Sequence, residues 1–203
     1  MSRPTRARTS ITLTSGSRLD RGLYAPIVID DPDEPGGYDQ EWVVVLDDWI
    51  DGTGRTPDDV LANLIAANAS PDDMGTMSGM DMGGMDGMEM GAAASPWGDA
   101  GDVTYPHFLI NGRVAAAPDV LRAKPGQRVR LRLINAAADT IFAVALGSHT
   151  VDVTHSDGFA VENQEATAVY IGMGERYDAI VTVKDGVFPL VARPVGKRAR
   201  RWP

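Results

Sequence analysis

From residue 102 to about residue 192 the sequence is a succession of short apolar segments, each of the length of a β-strand. The segments are YPHFLING, QRVRLRLIN, TIFAVAL, HTVDVTH, ATAVYIGM, RYDAIVTV and VFPLVAR. Turn-forming pairs such as Pro-Gly, Asn-Gly and Asp-Gly separate them. Short strands at this spacing predict an all-β sandwich or barrel. A chain of 203 residues has room for one such domain plus appendages.

The segment QRVRLRL, residues 127–133, alternates strictly between polar and apolar side chains. Because successive side chains of a strand point to opposite faces of the sheet, its valine and leucines are predicted to face the core. The alternating arginines are then expected to face solvent or a neighbouring domain. They are Arg128, Arg130 and Arg132.

Two strands and one helix are predicted in the first third of the chain. Residues 26–35 (PIVIDDPDEP) read as a strand that leads into a linker. Residues 42–46 form a continuous apolar run, which favours a strand buried on both faces, although periodicity alone also allows a helix. The acids that follow are expected to end it. Residues 56–59 (TPDD) supply an N-cap, a first-turn proline and first-turn acids, so residues 60–69 (VLANLIAANA) are predicted to be a short helix.

Residues 71–101 form a glycine-rich insert of low complexity that is predicted to be disordered without a ligand. It carries a run of methionines: Met74, Met77, Met80, Met82, Met85, Met88 and Met90. Thioethers are soft ligands that suit Cu(I), and the interleaved Asp81, Asp86 and Glu89 attract cations. These methionines are therefore candidate Cu(I) ligands. The alternative is a polarizable linker in which methionine has no specific role.

The chain has three histidines, His107, His149 and His155. The last two are six residues apart within one predicted strand, and so on the same face but far apart, which is a poor arrangement for metal ligands. A structural role is favoured for each. Residues 155–158 (HSDG) predict a tight turn, because their Ser, His and Asp are too close in sequence to converge as a catalytic triad. Residues 172–178 (GMGERYD) predict a glycine-containing turn between strands, not a phosphate-binding loop.

Composition excludes several classes of function. The chain has no cysteine, which excludes disulfides, thiolate metal sites and cysteine nucleophiles. Its net charge is −9, with the acids concentrated in the body of the chain, so no nucleic-acid partner is expected. It contains no apolar run long enough for a transmembrane segment.

Six phrases in order resemble the second cupredoxin domain of bacterial three-domain multicopper oxidases of the laccase and copper-resistance type. They are LDRGLYAPIVIDDP, YDQEWVVVLDDW, PHFLINGR, KPGQRVRLRLIN, VTHSDGFAV and IGMGERYDAIV. The resemblance covers residues 18–192 apart from the insert. It implies a cupredoxin-like Greek-key β-sandwich and an exported copper enzyme that oxidises phenols or Cu(I) and reduces O₂.

The resemblance also implies how the chain is divided. The predicted parts are an aberrant segment 1–18, the last strand of the first cupredoxin domain plus linker 19–37, the second cupredoxin domain 38–192, and an aberrant tail 193–203. In this family the copper ions belong to the first and third domains, which are the expected partners, and the second domain is a spacer without ligands. The third domain's blue-copper site needs a cysteine, so this chain is predicted to be inactive alone. The alternatives are a Met-rich module that sequesters Cu(I) without oxidising it and an inert sandwich used for interaction.

The family strand that normally precedes LDRGLY carries two copper-binding histidines, which align with Thr12 and Thr14. Threonine does not replace imidazole at copper, so either the site was lost by mutation or these residues are not in the family's reading frame. When that strand (GTYFYHSHVGLQ) is written in suitable synonymous codons and read one base late, it gives ARTSITLTSGS, which is residues 7–17. Residues 198–203 permit a weaker version of the same reading. The hypothesis is a fragment bounded by two frameshifts, and resequencing of the locus decides it.

Overall fold

The chain is described by a computed structural model that covers residues 8–11, 17–29, 37–68, 101 and 103–197. The strands are β1 (Arg8–Ile11), β2 (Pro26–Ile29), β3 (Gln40–Trp49), β4 (His107–Ile110), β5 (Arg113–Val114), β6 (Arg128–Asn135), β7 (Phe142–Leu146), β8 (Val151–Ser156), β9 (Phe159–Ala166), β10 (Val169–Ile171), β11 (Arg176–Thr182) and β12 (Leu190–Pro194). Helix α1 spans Pro57–Asn68, and a short 3₁₀ turn spans Leu19–Arg21.

A seven-stranded sheet and a three-stranded sheet pack face to face. The strand order is β5-β4-β3-β6-β11-β8-β9 in the larger sheet and β10-β7-β12 in the smaller, while β1 and β2 form a separate antiparallel pair. Strand β3 runs parallel to β6. The core between the sheets combines Val44, Leu133 and Val181 of the larger sheet with Phe142 and Ile171 of the smaller. The predicted all-β sandwich is confirmed, and α1 is the α-helix of the described part of the chain.

Each of the seven segments predicted from residue 102 onward contains a strand. Strand β9 was not predicted, because its residues 159–166 (FAVENQEA) are mostly polar. It is an edge strand that is exposed along almost its whole length, so neither face imposes apolar alternation. The two-residue strand β5, at the opposite edge, was not predicted either.

The strand predicted at residues 42–46 exists, but the acids that follow do not end it. Strand β3 continues through Asp47 and Asp48 to Trp49, and both carboxylates are buried, with exposed fractions of 2% and 1%. The reason is that each carboxylate has hydrogen-bond donors from distant parts of the chain. Burial on both faces of β3 is confirmed, because Leu46 lies in the main core and Val45 in a second cluster on the outer face.

Helix α1 begins where the sequence predicts. The Thr56 hydroxyl accepts a hydrogen bond from the Asp59 backbone N–H (3.2 Å), and the Asp59 carboxylate accepts one from the Thr56 backbone N–H (2.8 Å). This reciprocal arrangement is a capping box. The inner face of the helix packs Val60 and Leu64 against Tyr105 in a third apolar cluster.

Of the arginines of β6, Arg128 is exposed as predicted, but Arg130 and Arg132 do not face solvent. Arg130 and Arg132 lie on the outer face of the larger sheet, yet each is only 1% exposed. Arg130 donates to the Asp178 carboxylate at 2.6 Å, and Arg132 pairs with Glu41 at 2.7 Å. The outer face therefore holds a buried charge cluster, because oppositely charged side chains come from the neighbouring strands β3 and β11.

The turn predictions are confirmed, but one inference about the histidines is wrong. Asp157 and Gly158, with φ of 50° and 80°, connect β8 to β9, and Gly174 lies in the turn between β10 and β11. His149 precedes β8 instead of lying within it, and β8 has a register irregularity before His155. The two histidines therefore do not share one face of a regular strand.

Candidate functional site

The histidines do not form a copper centre in the part of the chain that the structure describes. His149 is 5% exposed, and its Nδ1 lies 2.7 Å from the Gly147 carbonyl oxygen. Its Nε2 accepts a hydrogen bond from the Lys184 backbone N–H at 3.0 Å. These partners define a neutral imidazole protonated at Nδ1, with neither nitrogen available to a metal. The structural role predicted for His149 is confirmed.

Within the described part of the chain, His155 and His107 also lack the surroundings of a metal site. The Nδ1 of His155 lies 3.0 Å from the Thr154 hydroxyl. No group of three His, Cys, Asp or Glu side chains that could hold a metal occurs among the described residues. Since the chain also has no cysteine, the donor set there does not fit a type 1 or a trinuclear copper site.

Several residues singled out in the sequence lie outside the described residues. They are Thr12 and Thr14 and the candidate Cu(I) ligands Met74, Met77, Met80, Met82, Met85, Met88 and Met90. Their roles, and the frameshift hypothesis for residues 1–18, stay predictions.

The described residues form a candidate docking site on the outer face of the larger sheet, where residues 19–24 lie against β3. The Tyr24 ring packs on the cluster of Val45, Ile134 and Ala136. Its hydroxyl donates a hydrogen bond to Asp47 Oδ2 at 2.9 Å. The ring therefore covers a carboxyl that the strand places among apolar side chains. We call this contact the Tyr24–Asp47 site.

Two further contacts attach residues 17–29. Arg21 donates to the Asp58 carboxylate at 2.7 Å, and the Ser17 hydroxyl donates to the other oxygen of Asp58. Gly22 adopts a left-handed conformation with φ of 77°, and a Cβ there would lie 3.5 Å from the Trp49 ring. Glycine at this position thus permits the left-handed turn, while the distance to Trp49 would itself accommodate a Cβ.

Acidic side chains surround the Tyr24–Asp47 site. Burial, with a smaller contribution from the negative charges of Asp48 and Asp20, raises the pKa of Asp47 to about 7, and this value includes the lowering effects of the Tyr24 hydrogen bond and of a backbone hydrogen bond from Asp48. Burial also raises the pKa of Asp20, again with a contribution from Asp48. Burial and the Asp47 carboxylate raise the pKa of Tyr24. The site is therefore one where a carboxyl exchanges its proton near neutral pH.

Asp48 ties β3 to the connection between the two sheets. Its carboxylate accepts hydrogen bonds from the backbone N–H groups of Ala138 (3.0 Å) and Asp139 (3.1 Å) and from the Thr140 hydroxyl (2.6 Å). Three donors satisfy a charge that is almost completely buried. Asp48 is thus a structural support beneath the docking site.

A second support lies where the chain returns from the insert. Asp139 accepts hydrogen bonds from the Val103 backbone N–H (2.9 Å) and from the Lys197 ammonium (2.9 Å). That ammonium also donates to the Val103 carbonyl and lies 5.0 Å from the centre of the Tyr105 ring. These contacts fix the returning chain against the sandwich.

An open cleft of about 680 Å³ lies beside the docking site. Gly22 and Tyr24 line it together with Trp49, His107 and Asn111 of the sandwich. The Asn111 side chain is held in place, since it donates to the Val43 carbonyl and accepts from the Val45 N–H. The cleft therefore follows the seam between residues 17–29 and the sandwich.

Sequence reasoning missed the Tyr24–Asp47 site. Asp47 and Asp48 read as the acids that end a strand, and their partners at positions 24 and 138–140 are distant in sequence. One usable signal existed: two adjacent acids following five apolar residues, with no glycine or proline before Gly52, resemble a strand that continues.

The class of protein is shown by similarity to a known family, with which the fold agrees. A family model for multicopper oxidases matches residues 40–201. The chain belongs to the multicopper oxidase family, whose members use copper. In the described part of the chain, no helix is long and apolar enough to cross a membrane.

Curated relatives agree with this family. The chain is 49% identical over 184 residues to the multicopper oxidase MmcO of Mycobacterium tuberculosis, which covers 91% of this chain and 35% of that protein. It is 29% identical over 197 residues to a copper resistance protein A homolog of Pseudomonas syringae pv. tomato, covering 90% of this chain and 33% of that protein. The chain spans about a third of the length of these relatives.

Solved structures share the fold. Fet3p, a multicopper oxidase that functions in iron import, matches with a TM-score of 0.63 and 17% identity over 89% of this chain and 28% of its own. The laccase from Botrytis aclada matches with a TM-score of 0.60 and 22% identity over 89% of this chain and 30% of its own. At these identities the likeness is evidence for the cupredoxin-like fold alone.

Proposed function

We propose that the chain supplies the spacer part of a multicopper oxidase: residues 38–192 as the second cupredoxin domain, and residues 19–37 as the last strand of the first domain plus the linker. Its task is to hold the first and third domains at the separation that their copper sites require. The intact enzyme would oxidise phenols or Cu(I) at the expense of O₂. The chain by itself would hold no catalytic copper.

One observation carries this proposal. The described residues provide a well-packed sandwich whose polar interior groups are used for structure, not for metal. His149 is occupied at both ring nitrogens, and Asp48 and Asp178 are each engaged by buried donors. Residues 17–29, in contrast, contact the outer face through a small set of polar and aromatic side chains, as expected of a segment that enters from another domain.

Oxygen uptake by the purified chain tests the proposal. After incubation with copper and removal of excess metal, the chain is expected to show no blue charge-transfer absorption, because that absorption requires a copper–thiolate bond. It is also expected to consume no O₂ with a phenol, and with Cu(I) no more O₂ than the uncatalysed oxidation of Cu(I) consumes. The control is an intact multicopper oxidase treated in the same way. Catalytic oxygen uptake by the chain alone would overturn the proposal.

A second proposal concerns the seven methionines between residues 74 and 90. Their number and their glycine-rich spacing favour Cu(I) binding within the oxidase, since several thioethers can converge on one soft ion. The family relationship does not favour the alternative of a free-standing sequestration module.

Replacement of all seven methionines by leucine is expected to abolish Cu(I) binding. The measurement is the amount of Cu(I) that the chain withholds from a chromogenic chelator. Leucine keeps the side-chain size and removes the sulfur, so stability should change little. The matched control is Met173→Leu, at a half-exposed methionine outside the insert. If the variant with seven leucines binds as much Cu(I) per chain as the unsubstituted chain, the thioethers are not Cu(I) ligands.

A further inference from the structure

The Tyr24–Asp47 site contains a carboxyl whose exposure depends on whether residues 17–29 are docked. Asp47 is 2% exposed, and it lies on the outer face of β3, beside the cluster that the Tyr24 ring covers. Removal of the Tyr24 ring would open this face to water. The docked and undocked states therefore offer the same carboxyl two different environments.

Negative charges dominate around Asp47 when residues 17–29 are docked. Asp20 faces it from the 3₁₀ turn, Asp48 from its own strand, and Tyr24 through the hydrogen bond. On the far side, Asp139 and Tyr105 belong to the same group of interacting side chains. The nearby cations have other partners: Lys197 pairs with Asp139, and Arg21 pairs with Asp58. Among the described residues, no cation is thus left to pair with an ionised Asp47.

We propose that the outer face around Asp47 is a proton-linked docking surface for the first cupredoxin domain, which it binds more tightly as the pH falls. The inference rests on the proposed function, in which residues 19–37 belong to that domain. The occupant is identified by continuity, because Gly22 and Tyr24 already line the seam and, in the proposed function, residues 19–37 are the last strand of that domain plus the linker.

The sign of the pH dependence follows from the two environments. In the docked state the pKa of Asp47 is about 7, and in the undocked state it returns toward the ordinary value of 3.8. Between these values docking takes up a proton, so the docking constant falls by up to about tenfold for each pH unit of increase. Below this window both states are protonated, and above it both are ionised, so the constant levels off at either end.

Amide hydrogen exchange in the full chain measures docking directly. The backbone N–H groups of Gly22 and Leu23 donate to the carbonyls of Leu19 and Arg18, so they are protected while the turn is in place. Their protection factors, corrected for the intrinsic exchange rate, are expected to fall by several-fold per unit from about pH 5.5 to 7 and then to level off. A protection factor that is constant over this range would overturn the inference.

Two variants separate the proton effect from the attachment itself. Asp47→Asn keeps an oxygen acceptor for the Tyr24 hydroxyl but does not ionise, so its protection factors are expected to stay high and independent of pH. Asp58→Asn is the matched control: it weakens the contacts of Arg21 and Ser17 and should lower protection by the same factor at every pH, with the slope retained. The same slope in Asp47→Asn as in the unsubstituted chain would contradict the inference.

A measurement on the unsubstituted chain covers the case in which Asp47→Asn does not fold. The carboxyl ¹³C shift of Asp47 is expected to titrate near neutral pH, and a midpoint near that of an ordinary aspartate would overturn the inference. Neither readout involves oxidase activity. If the protection factors and the Asp47 shift do not depend on pH as expected, proton-linked docking is disproved. If the chain then still consumes no O₂, the proposed spacer function is unaffected.

Discussion

Asp48→Ala is expected to lower the free energy of unfolding by about 4 kcal/mol. The substitution removes the acceptor of three hydrogen bonds and leaves the donors of Ala138, Asp139 and Thr140 without it. Two of these donors are backbone N–H groups that cannot rotate away. Because the site is almost completely buried, water does not replace the carboxylate without local opening.

Urea unfolding followed by circular dichroism measures the effect of Asp48→Ala. The matched control is Asp185→Ala, at an exposed aspartate in the turn between β11 and β12, which is expected to change stability by less than about 0.5 kcal/mol. Asp48→Asn should fall between the two, since its carbonyl oxygen serves some of the donors while its amide group opposes others. A loss of stability in Asp48→Ala no larger than in the control would contradict the role assigned to Asp48.

Asp178→Ala is expected to cost about 3–5 kcal/mol, because it removes a carboxylate from a buried ion cluster. The Asp178 carboxylate lies 2.6 Å from one Arg130 nitrogen and 3.7 Å from one Arg132 nitrogen. Glu41 remains beside Arg132, whereas Arg130 loses its closest carboxylate. Arg130 and Arg132, each only 1% exposed, then have less negative charge nearby to balance their positive charges.

The matched control for Asp178→Ala is Asp119→Ala. Asp119 pairs with Arg113 at 3.5 Å, but the two side chains are 49% and 59% exposed. Water and salt screen such a pair, so its loss is expected to cost about 0–1 kcal/mol. The comparison is made by thermal and urea unfolding at neutral pH. Equal losses for the two variants would show that burial does not strengthen the Asp178 interactions, contrary to the structure.

The sheet was predictable from the sequence because its signal is local. The alternation in QRVRLRL, the turn pairs between segments and the cap of α1 act over a few residues, and the structure places β6 and α1 accordingly. Strand β9 was not predictable in this way, because an edge strand that is exposed on both faces carries no apolar pattern. The family was predicted from the resemblance to multicopper oxidases, because the periodicity of a sequence does not identify a family.

The docking site was not predictable, because its determinants are pairs of residues distant in sequence. Whether an acid such as Asp48 ends a strand or is buried within it depends on donors about 90 residues away. Whether Arg130 faces solvent depends on Asp178 of a neighbouring strand. A single sequence shows the charge of each partner but not their proximity.

The structure also changes how the histidines are understood. A histidine in a copper-oxidase relative invites assignment as a ligand, but His149 serves backbone groups on both sides of its ring and contacts Phe188 edge-on at 4.6 Å between ring centres. Through these contacts the His149 ring connects the loop after β7 to the loop after β11. Its role is to join connections at one end of the sandwich.

The most direct test of the spacer function is oxygen uptake by a chimera of the mycobacterial relative. In this chimera, residues 40–197 of the present chain replace the aligned segment, and the relative keeps its own copper ligands. The predicted result is a folded, copper-loaded chimera with a kcat within about tenfold of the relative's, because no group that touches copper is exchanged. A folded chimera that fails to bind copper, or that binds it and consumes no O₂, would contradict the assignment of this chain as the ligand-free spacer.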